Sequence, residues 1–178
     1  MANLISKRYA QALFEAGLEL NKLKEFKDDF SFVTDILYRE TELRNILSHP
    51  KVSKDEKKKL LNNIFNGRIS IEILNFLYVL VDKRRESEIM EINREFIRLF
   101  NEHENLIEVT AITSVLMDDN IKNKLRITLE NKLNKKVQLK NVVDKNIIGG
   151  VLLNIGNKVI DGTVKGQLLE IEKAIKGA

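Results

Sequence analysis

Apolar residues in the first hundred positions recur every three to four residues, which is the spacing of one face of an α-helix. Leu23, Phe26, Phe30, Val33 and Leu37 give the clearest such stripe. The pattern predicts helices over six segments: 3–20, 22–39, 41–47, 53–66, 69–81 and 86–104. We therefore predict an all-α bundle of about six helices for residues 1–105.

The fourth predicted helix has a recognisable first turn. Ser53 precedes the helix and Glu56 stands three positions later, which is the pattern of a capping box. The run 57–59 is Lys-Lys-Lys, and by itself it would be typical of a nucleic-acid-binding patch. Because it shares a helix with Leu60 and Leu61, we expect it to form the solvent-exposed face opposite them.

The fifth predicted helix is the most apolar segment of the bundle. Residues 69–81 read ISIEILNFLYVLV, and only Glu72 and Asn75 interrupt the central apolar run. A helix that is apolar on nearly every side must be central or must meet a partner. Full burial of one helix is hard to arrange in a small bundle. We therefore expect part of this helix to be available to a binding partner.

At about residue 105 the period of the apolar positions changes from 3.6 to 2, the period of a β-strand. Ile107, Val109 and Ala111 alternate with polar neighbours, so residues 106–113 are predicted to form a strand. The elements predicted after it are a helix from Asp118 or Asp119 to Leu133, strands over 137–140, 151–155 and 158–160, and a last helix beginning at Thr163. Residues 106–178 are thus predicted to form a small α/β domain, in the order β-α-β-β-β-α with a mixed sheet, after the helical domain 1–105.

The glycines near the C-terminus lie at the predicted ends of these last strands. Their predicted roles are turn and bulge positions at Gly149 and Gly150, a hairpin turn at Gly156–Asn157, a turn at Asp161–Gly162, and an N-cap at Thr163. A phosphate-binding loop would need a Lys-Ser/Thr pair or a G-x-G-x-x-G motif opening a helix, and this stretch has neither. We therefore interpret the glycines as structural.

The net charge of +4 is unevenly distributed. Residues 1–105 hold 18 Lys/Arg and 18 Asp/Glu, whereas residues 106–178 hold 12 and 8. A basic half of this kind leaves a nucleic-acid-binding adaptor as an alternative function. The basic half contains no aromatic residue, however, and bases of single strands stack on aromatic side chains.

Composition argues against most enzymatic and metal-dependent functions. The chain has no cysteine, and neither His49 nor His103 has a second histidine one helical turn away, so we expect no disulfide and no metal site. The glycine-rich stretch 144–169 offers only Asp144 and Asp161 as acidic candidates, and Asp161 fits a turn. We expect no catalytic residue and no cofactor. No apolar run reaches the ~20 residues of a membrane span, and no signal peptide is expected.

Two motifs carry a resemblance to a known family, the F-type ATP synthase delta subunit, whose mitochondrial relative is the oligomycin sensitivity-conferring protein. The C-terminal pattern of that family is Gly-Gly, an apolar strand, Gly-Asn/Asp, an apolar pair, Asp-Gly-Ser/Thr, then a basic residue, Gly and Leu. The positions that fill it here are Gly149, Gly150, Gly156, Asn157, Val159, Ile160, Asp161, Gly162, Thr163, Lys165, Gly166 and Leu168. The first helix resembles the family through Arg8, Tyr9, Ala10, Ala12, Leu13 and Phe14.

The resemblance implies a non-catalytic subunit of the peripheral stalk, which keeps the catalytic head from turning with the rotor while a proton or sodium gradient drives ATP synthesis. It implies that the N-terminal bundle holds the N-terminal helix of an alpha subunit. It also implies that the C-terminal domain holds the C-terminal end of the coiled coil formed by the b subunits. A peripheral position at the cytoplasmic face of a bacterial membrane, reached only through the complex, is expected as well.

A groove for the alpha-subunit helix follows from this expectation. Helix-in-groove binding needs small and apolar positions on two adjacent helices. We predict that helix 3–20 and helix 69–81 form the groove, with seven partner-binding residues: Tyr9, Ala12, Leu13, Ala16, Phe76, Val79 and Leu80.

Overall fold

The computed structural model of the protein describes residues 2–156 and 158–176, with side chains for 4–156 and 158–170. The chain divides between Phe100 and Asn101 into two compact units. The helices that begin in the first unit are α1 (Ala2–Glu19), α2 (Leu23–Arg39), α3 (Thr41–Ser48), α4 (Lys54–Phe65), α5 (Ile71–Asp82), the 3₁₀ helix Glu86–Glu88, and α6 (Ile89–His103).

The second unit combines a sheet with helices. Its elements are β1 (Leu106–Thr113), α7 (Asp119–Leu133), β2 (Lys136–Val143), β3 (Gly150–Ile155), β4 (Lys158–Thr163) and α8 (Val164–Lys176). This order confirms the predicted fold class, an all-α region followed by an α/β region with the order β-α-β-β-β-α. The predicted strand 106–113 matches β1 at both ends.

The core of the first unit is built largely from phenylalanine and leucine. The whole predicted stripe of α2 is buried: Leu23, Phe26, Phe30, Val33 and Leu37. One polar pair lies among these apolar side chains, where Asn93 Nδ2 on α6 donates to Thr34 Oγ1 on α2 at 2.8 Å. A buried polar group costs free energy unless it is hydrogen-bonded, so this bond favours one register of α6 on α2.

The start of α4 confirms the predicted capping box. The Ser53 hydroxyl oxygen accepts from the Glu56 N–H at 3.3 Å, and Glu56 Oε2 accepts from the Ser53 N–H at 2.9 Å. The expectation for the lysine run that follows is wrong at Lys57. This residue is 6% exposed, and its Nζ donates to Glu86 Oε1 at 2.6 Å. The helix turns Lys57 inward, where a buried carboxylate compensates its charge.

The position of α5 agrees with its apolar sequence. Five of its residues are buried: Ile73, Leu74, Leu77, Leu80 and Val81. Val79, by contrast, is 45% exposed and Ile71 is 59% exposed. The helix is therefore packed into the core on one side and open on another, as its surplus of apolar residues predicts.

The sheet of the second unit has the strand order β2-β1-β3-β4. β1 pairs in parallel with β2, and the other neighbours are antiparallel, so the sheet is mixed as predicted. α7 supplies the crossover that a parallel pair requires. Val109 of β1 lies opposite Leu139 and Ile155, and it is fully buried in a core that includes Leu129 of α7.

The predicted turn at Asp161–Gly162 is wrong. Both residues lie inside β4, opposite Leu152 and Val151 of β3. Because β3 starts at Gly150, its ladder offers both of them a partner and the chain stays extended. The turn comes at the other end of β4, where Gly156 has a φ of +57°. Asn157 lies outside the described residues.

The two units lead to a prediction about folding. We propose that residues 1–105, which include all of α6, fold without the rest of the chain. The fragment should be helical and monomeric, because the buried core side chains of the first unit all precede residue 101. Circular dichroism and sedimentation equilibrium provide the measurement. A fragment that is unfolded at moderate concentration would show that the boundary is misplaced.

Candidate partner-binding surfaces

The residues predicted to form the groove lie on α1 and α5, which contact each other through Tyr9 and Phe76. The two rings meet edge to face with their centroids 6.4 Å apart. Ala12 and Ala16 follow Tyr9 at helical spacing, and Val79 follows Phe76 in the same way. We call the surface of these five residues, Tyr9, Ala12, Ala16, Phe76 and Val79, the α1–α5 groove.

Two of the seven predicted groove residues belong to the core. Leu13 is 4% exposed and Leu80 is fully buried, so neither offers area to a partner in this conformation. Ala12 and Val79 are exposed, whereas Tyr9, Ala16 and Phe76 are half-buried. The groove therefore has a half-buried aromatic floor with exposed small and β-branched residues above it.

The floor of the groove is connected to the centre of the bundle by edge-to-face contacts between aromatic rings. Phe76 contacts Phe30 with centroids 5.6 Å apart, and Phe30 contacts Phe96 at 6.3 Å. Both of these inner rings are fully buried. Edge-to-face contacts of this kind favour particular ring orientations, so the floor is held in place before any partner arrives.

One end of the groove opens into a cleft of about 490 Å³. The residues that line this cleft, which we call the cationic cleft, are Ile5, Arg8, Tyr9, Ala12, Lys83 and Arg85. Sequence reasoning missed Ile5, Arg8, Lys83 and Arg85. Ile5 and Arg8 precede Ala12 at helical spacing, and that spacing is the signal that could have found them.

The backbone after α5 explains why Lys83 and Arg85 reach the cleft. Arg84 has a left-handed φ of +54°, which ends the helix and turns the chain back. The Arg85 N–H donates to the Leu80 carbonyl at 2.8 Å, and the Arg84 N–H donates to the Val81 carbonyl at 3.0 Å. These two bonds form a Schellman motif, which here has arginine at the position that usually holds glycine.

The opposite end of α5 carries a compensated charge. Lys22 Nζ donates to Glu72 Oε1 at 2.9 Å. This hydrogen bond raises the pKa of Lys22 and lowers the pKa of Glu72. Nearby, the Ser70 N–H donates to Asp29 Oδ2 at 2.7 Å, which ties the start of α5 to α2. The charge of Glu72 at the start of α5 is thus compensated by Lys22.

In the second unit, the glycine motif forms a close-packed junction between β3, β4 and α8. Gly150 has a φ of +85°, and a β-carbon there would collide with the carbonyl oxygen of Gly162. The Thr163 hydroxyl oxygen accepts from the Gly166 N–H at 3.0 Å, which confirms Thr163 as the N-cap of α8. A β-carbon at Gly166 would lie 2.7 Å from the carboxyl carbon of Asp161. The structure therefore explains these motif residues by packing, without a ligand.

Asp161 supports the same junction from its strand position. Its Oδ1 accepts from the Thr163 N–H at 2.9 Å. Hydrogen bonding by the Thr163 hydroxyl and by this N–H lowers the pKa of the Asp161 carboxyl. The role of Asp161 is thus to hold the residue that caps α8.

The second unit also has an exposed apolar cleft of about 530 Å³. It is lined by Thr113, Ser114, Val115, Leu116, Met117, Asp118, Ile121, Leu125, Gly150 and Val151. Val115 is 70% exposed and Leu116 is 74% exposed, which is unusual for adjacent large apolar residues. This surface is a candidate for contact with a partner.

The described residues contain no group of three or more His, Asp or Glu side chains that could hold a metal ion. Within the same residues, no helix combines the length and the apolar content needed to cross a membrane. The cationic cleft is lined by apolar and cationic side chains. The cleft of the second unit is mainly apolar, and its polar members are Thr113, Ser114 and Asp118, of which Asp118 accepts from the Ile121 N–H at the start of α7. The composition of these two clefts is typical of surfaces that bind another protein.

A family model described as ATP synthase delta (OSCP) subunit matches residues 5–175. The match spans both terminal motifs and both compact units. The chain belongs to the ATP synthase delta (OSCP) subunit family. The resemblance drawn from the two motifs is thereby confirmed.

Similar proteins agree with this assignment over almost the full length. ATP synthase subunit delta of Alkaliphilus metalliredigens is 41% identical over 172 residues, covering 97% of this chain and 96% of the relative. ATP synthase subunit delta of Clostridioides difficile is 41% identical over 176 residues, covering 98% and 97%. A chain of the Toxoplasma gondii mitochondrial ATP synthase hexamer has the same fold, with a TM-score of 0.74, 21% identity and 96% of each chain covered.

Membership of the delta family decides the general function. The chain is a non-catalytic, peripheral-stalk subunit of the F-type ATP synthase. Nothing in the family match or in these relatives supports the alternative of a nucleic-acid-binding adaptor. The basic surplus of residues 106–178 therefore needs another explanation.

Proposed function

We propose that the chain links the catalytic head to the peripheral stalk through two separate surfaces, one on each unit. The α1–α5 groove binds the N-terminal helix of an alpha subunit. The second unit binds the C-terminal end of the coiled coil formed by the b subunits. The observation that carries the proposal is the exposure of Val79 and Ala12 beside a fixed aromatic floor, which leaves an apolar groove without an occupant from the described part of this chain.

The dimensions of the groove favour a helix as its occupant. Ala12 and Ala16 have small side chains, so another backbone can approach α1 closely. Val79 and Phe76 lie one helical turn apart on α5 and offer apolar area to anchors that repeat every three or four residues. A stator resists torque by bound area and needs no reactive group, which agrees with the absence of acids and bases from this surface.

The second unit supplies a different kind of surface. Val115 and Leu116 offer exposed apolar area beside its cleft, and residues 106–178 carry the whole net charge of the chain. Apolar area combined with positive charge suits the end of an acidic coiled coil. We place the chain at the cytoplasmic face of a bacterial membrane, held there only through the other subunits.

A reconstitution experiment tests this two-surface link. Membrane vesicles that retain the membrane sector and the b subunits, but lack this chain and the head, should recover ATP-driven ion pumping when the head and the full chain are added together. The fragment 1–105 should bind the head and fail to restore pumping, because it lacks the unit proposed to bind b.

The controls separate the two contacts. Sedimentation with the isolated head reports the contact of the first unit. Retention of residues 101–178 by an immobilised peptide from the C-terminal end of b reports the other contact. Recovery of full pumping by fragment 1–105 would contradict the proposed role of the second unit.

A further inference from the structure

We infer that the α1–α5 groove selects a partner helix that carries carboxylates beside its apolar anchors, clustered at the end of the helix that lies over the cationic cleft. The inference rests on the proposed groove binding and adds a chemical requirement to it. Its basis is the charge of the cleft lining, which contains Arg8, Lys83 and Arg85 but no aspartate or glutamate.

These three cations lack carboxylate partners within the described residues. No Asp or Glu oxygen of that part of the chain lies within 4.0 Å of the charged nitrogens of Arg8, Lys83 or Arg85. Some other cations of the first unit are paired, as Lys57 is with Glu86 at 2.6 Å and Lys58 is with Asp82 at 2.7 Å. The positive charge of the cleft, by contrast, is not compensated by an ion pair within the described residues.

The balanced charge of residues 1–105 makes the absence of Asp and Glu from the cleft lining informative. Residues 1–105 hold equal numbers of acidic and basic residues, 18 of each, so the cations of the cleft do not simply reflect a net positive charge of this region. Complementary charges across an interface steer association and suppress wrong partners. A cleft that holds three cations and no acid is complementary to a partner with negative charge.

Binding itself would strengthen the attraction. Ile5, Tyr9 and Ala12 form the apolar part of the cleft, and a helix seated on them would exclude water from the neighbouring charges. Two opposite charges attract more strongly as the effective dielectric constant falls. Carboxylates on the partner would then compensate cations that would otherwise be left partly desolvated.

The cations stand at one end of the groove, so the carboxylates have a defined place. Lys83 and Arg85 follow the C-terminus of α5, and the Schellman turn at Arg84 holds them there. Ala16 and Phe76 lie farther along α1 and α5, away from that end. Acidic residues should therefore flank the anchors that sit near Ile5 and Lys83, and they should be absent at the other end.

The test uses the full chain and two peptides. One is the N-terminal peptide of the alpha subunit from the same organism, and the other is the same peptide with every Asp and Glu replaced by Asn and Gln. Isothermal titration at low salt should show about tenfold tighter binding of the acidic peptide. This ratio corresponds to the summed binding free energies of a few exposed ion pairs. Added salt should reduce that difference, because exposed charges are screened.

Matched variants assign the effect to the cationic cleft. In the triple variant Arg8→Gln/Lys83→Gln/Arg85→Gln the two peptides should bind within about twofold of each other. The control Arg39→Gln/Arg44→Gln/Lys59→Gln removes the same charge from exposed positions on α2, α3 and α4, and it should keep the tenfold preference. If the triple variant does not fold, Lys83→Gln alone replaces it as the test. Lys83 is exposed, and its substitution should reduce the preference for the acidic peptide.

Several outcomes would overturn the inference. An alpha peptide with no carboxylate near its anchors, or equal binding of both peptides, would refute the charge requirement and leave the groove proposal intact. Failure of both peptides to bind would refute the groove as well. Equal peptide binding combined with cleft-dependent binding to phosphatidylglycerol vesicles would assign the cations to a lipid surface.

Discussion

Replacing Gly150 with valine is expected to lower the free energy of unfolding of the second unit by about 3 kcal/mol or more. Two independent penalties add at this position. The φ of +85° is strained for any β-branched residue, and the new β-carbon would collide with the backbone of Gly162 and come within 2.8 Å of the Thr163 Cα. Neither neighbour is a flexible side chain, so relief requires β3 and β4 to separate.

The distribution of aromatic residues makes this prediction measurable in the intact chain. All three tyrosines, Tyr9, Tyr38 and Tyr78, lie in the first unit. Tyrosine fluorescence therefore follows unfolding of the first unit alone, whereas far-ultraviolet circular dichroism follows both units. Gly150→Val should shift only the transition that tyrosine fluorescence does not detect.

Two other glycines serve as matched controls for Gly150. Gly156 also has a positive φ, +57°, but a β-carbon there would meet nothing within 4 Å, so Gly156→Val isolates the backbone strain. Gly162 does not have a positive φ, and its β-carbon would lie 3.1 Å from the Val151 carbonyl oxygen, so Gly162→Val should cost only about 1 kcal/mol. Equal melting of all three variants and the parent would show that the junction is not close-packed in solution.

Replacing Val79 with aspartate is expected to weaken binding of the N-terminal peptide of the alpha subunit by about 2 kcal/mol, or roughly 30-fold. The charge would sit beside Phe76 in the α1–α5 groove, where a bound helix would remove its water. Since Val79 is 45% exposed in the unbound chain, the helix itself should tolerate the change. Isothermal titration with the peptide gives the affinity, and circular dichroism checks the fold.

Ile46→Asp is the matched control, because Ile46 is also 45% exposed but lies on α3, outside the groove. It makes the same chemical change and should leave the affinity within about twofold of the parent. Ala12→Trp tests the groove in the opposite sense by filling it, and it should weaken binding by a similar ~2 kcal/mol. Full-strength binding by Val79→Asp and Ala12→Trp, with unchanged helicity, would move the binding site for the alpha peptide elsewhere on the first unit.

The secondary structure was largely predictable because the signals involved are local. The capping box at Ser53 and Glu56 places the start of α4, and both its hydrogen bonds are present. The change of period near residue 105 predicts β1 at its observed bounds, since alternation within one strand needs no knowledge of its partners. The resemblance to the delta family likewise came from the residues of two short sequence motifs, and the family match over residues 5–175 confirms it.

The groove was predictable only in part. A helical stripe shows which residues share a face, but it does not show where burial stops along the edge of that face. Leu13 and Leu80 are therefore core residues, while Ala12 and Val79, their direct neighbours in sequence, are exposed. The cations at the end of the groove depend on the left-handed turn at Arg84, a position where sequence patterns lead one to expect glycine.

The sequence alone thus determined the order of elements, the N-caps at Ser53 and Thr163 and the family, because each depends on residues close together in the chain or on a motif read in order. Tertiary structure decided the rest. It buried Lys57 against Glu86, which is 29 residues away, and it kept Asp161 and Gly162 extended by pairing them with β3. It also determined that Arg8 meets Lys83 and Arg85 in one cleft. These outcomes depend on contacts between distant segments, and such contacts exist only once the helices and strands have packed.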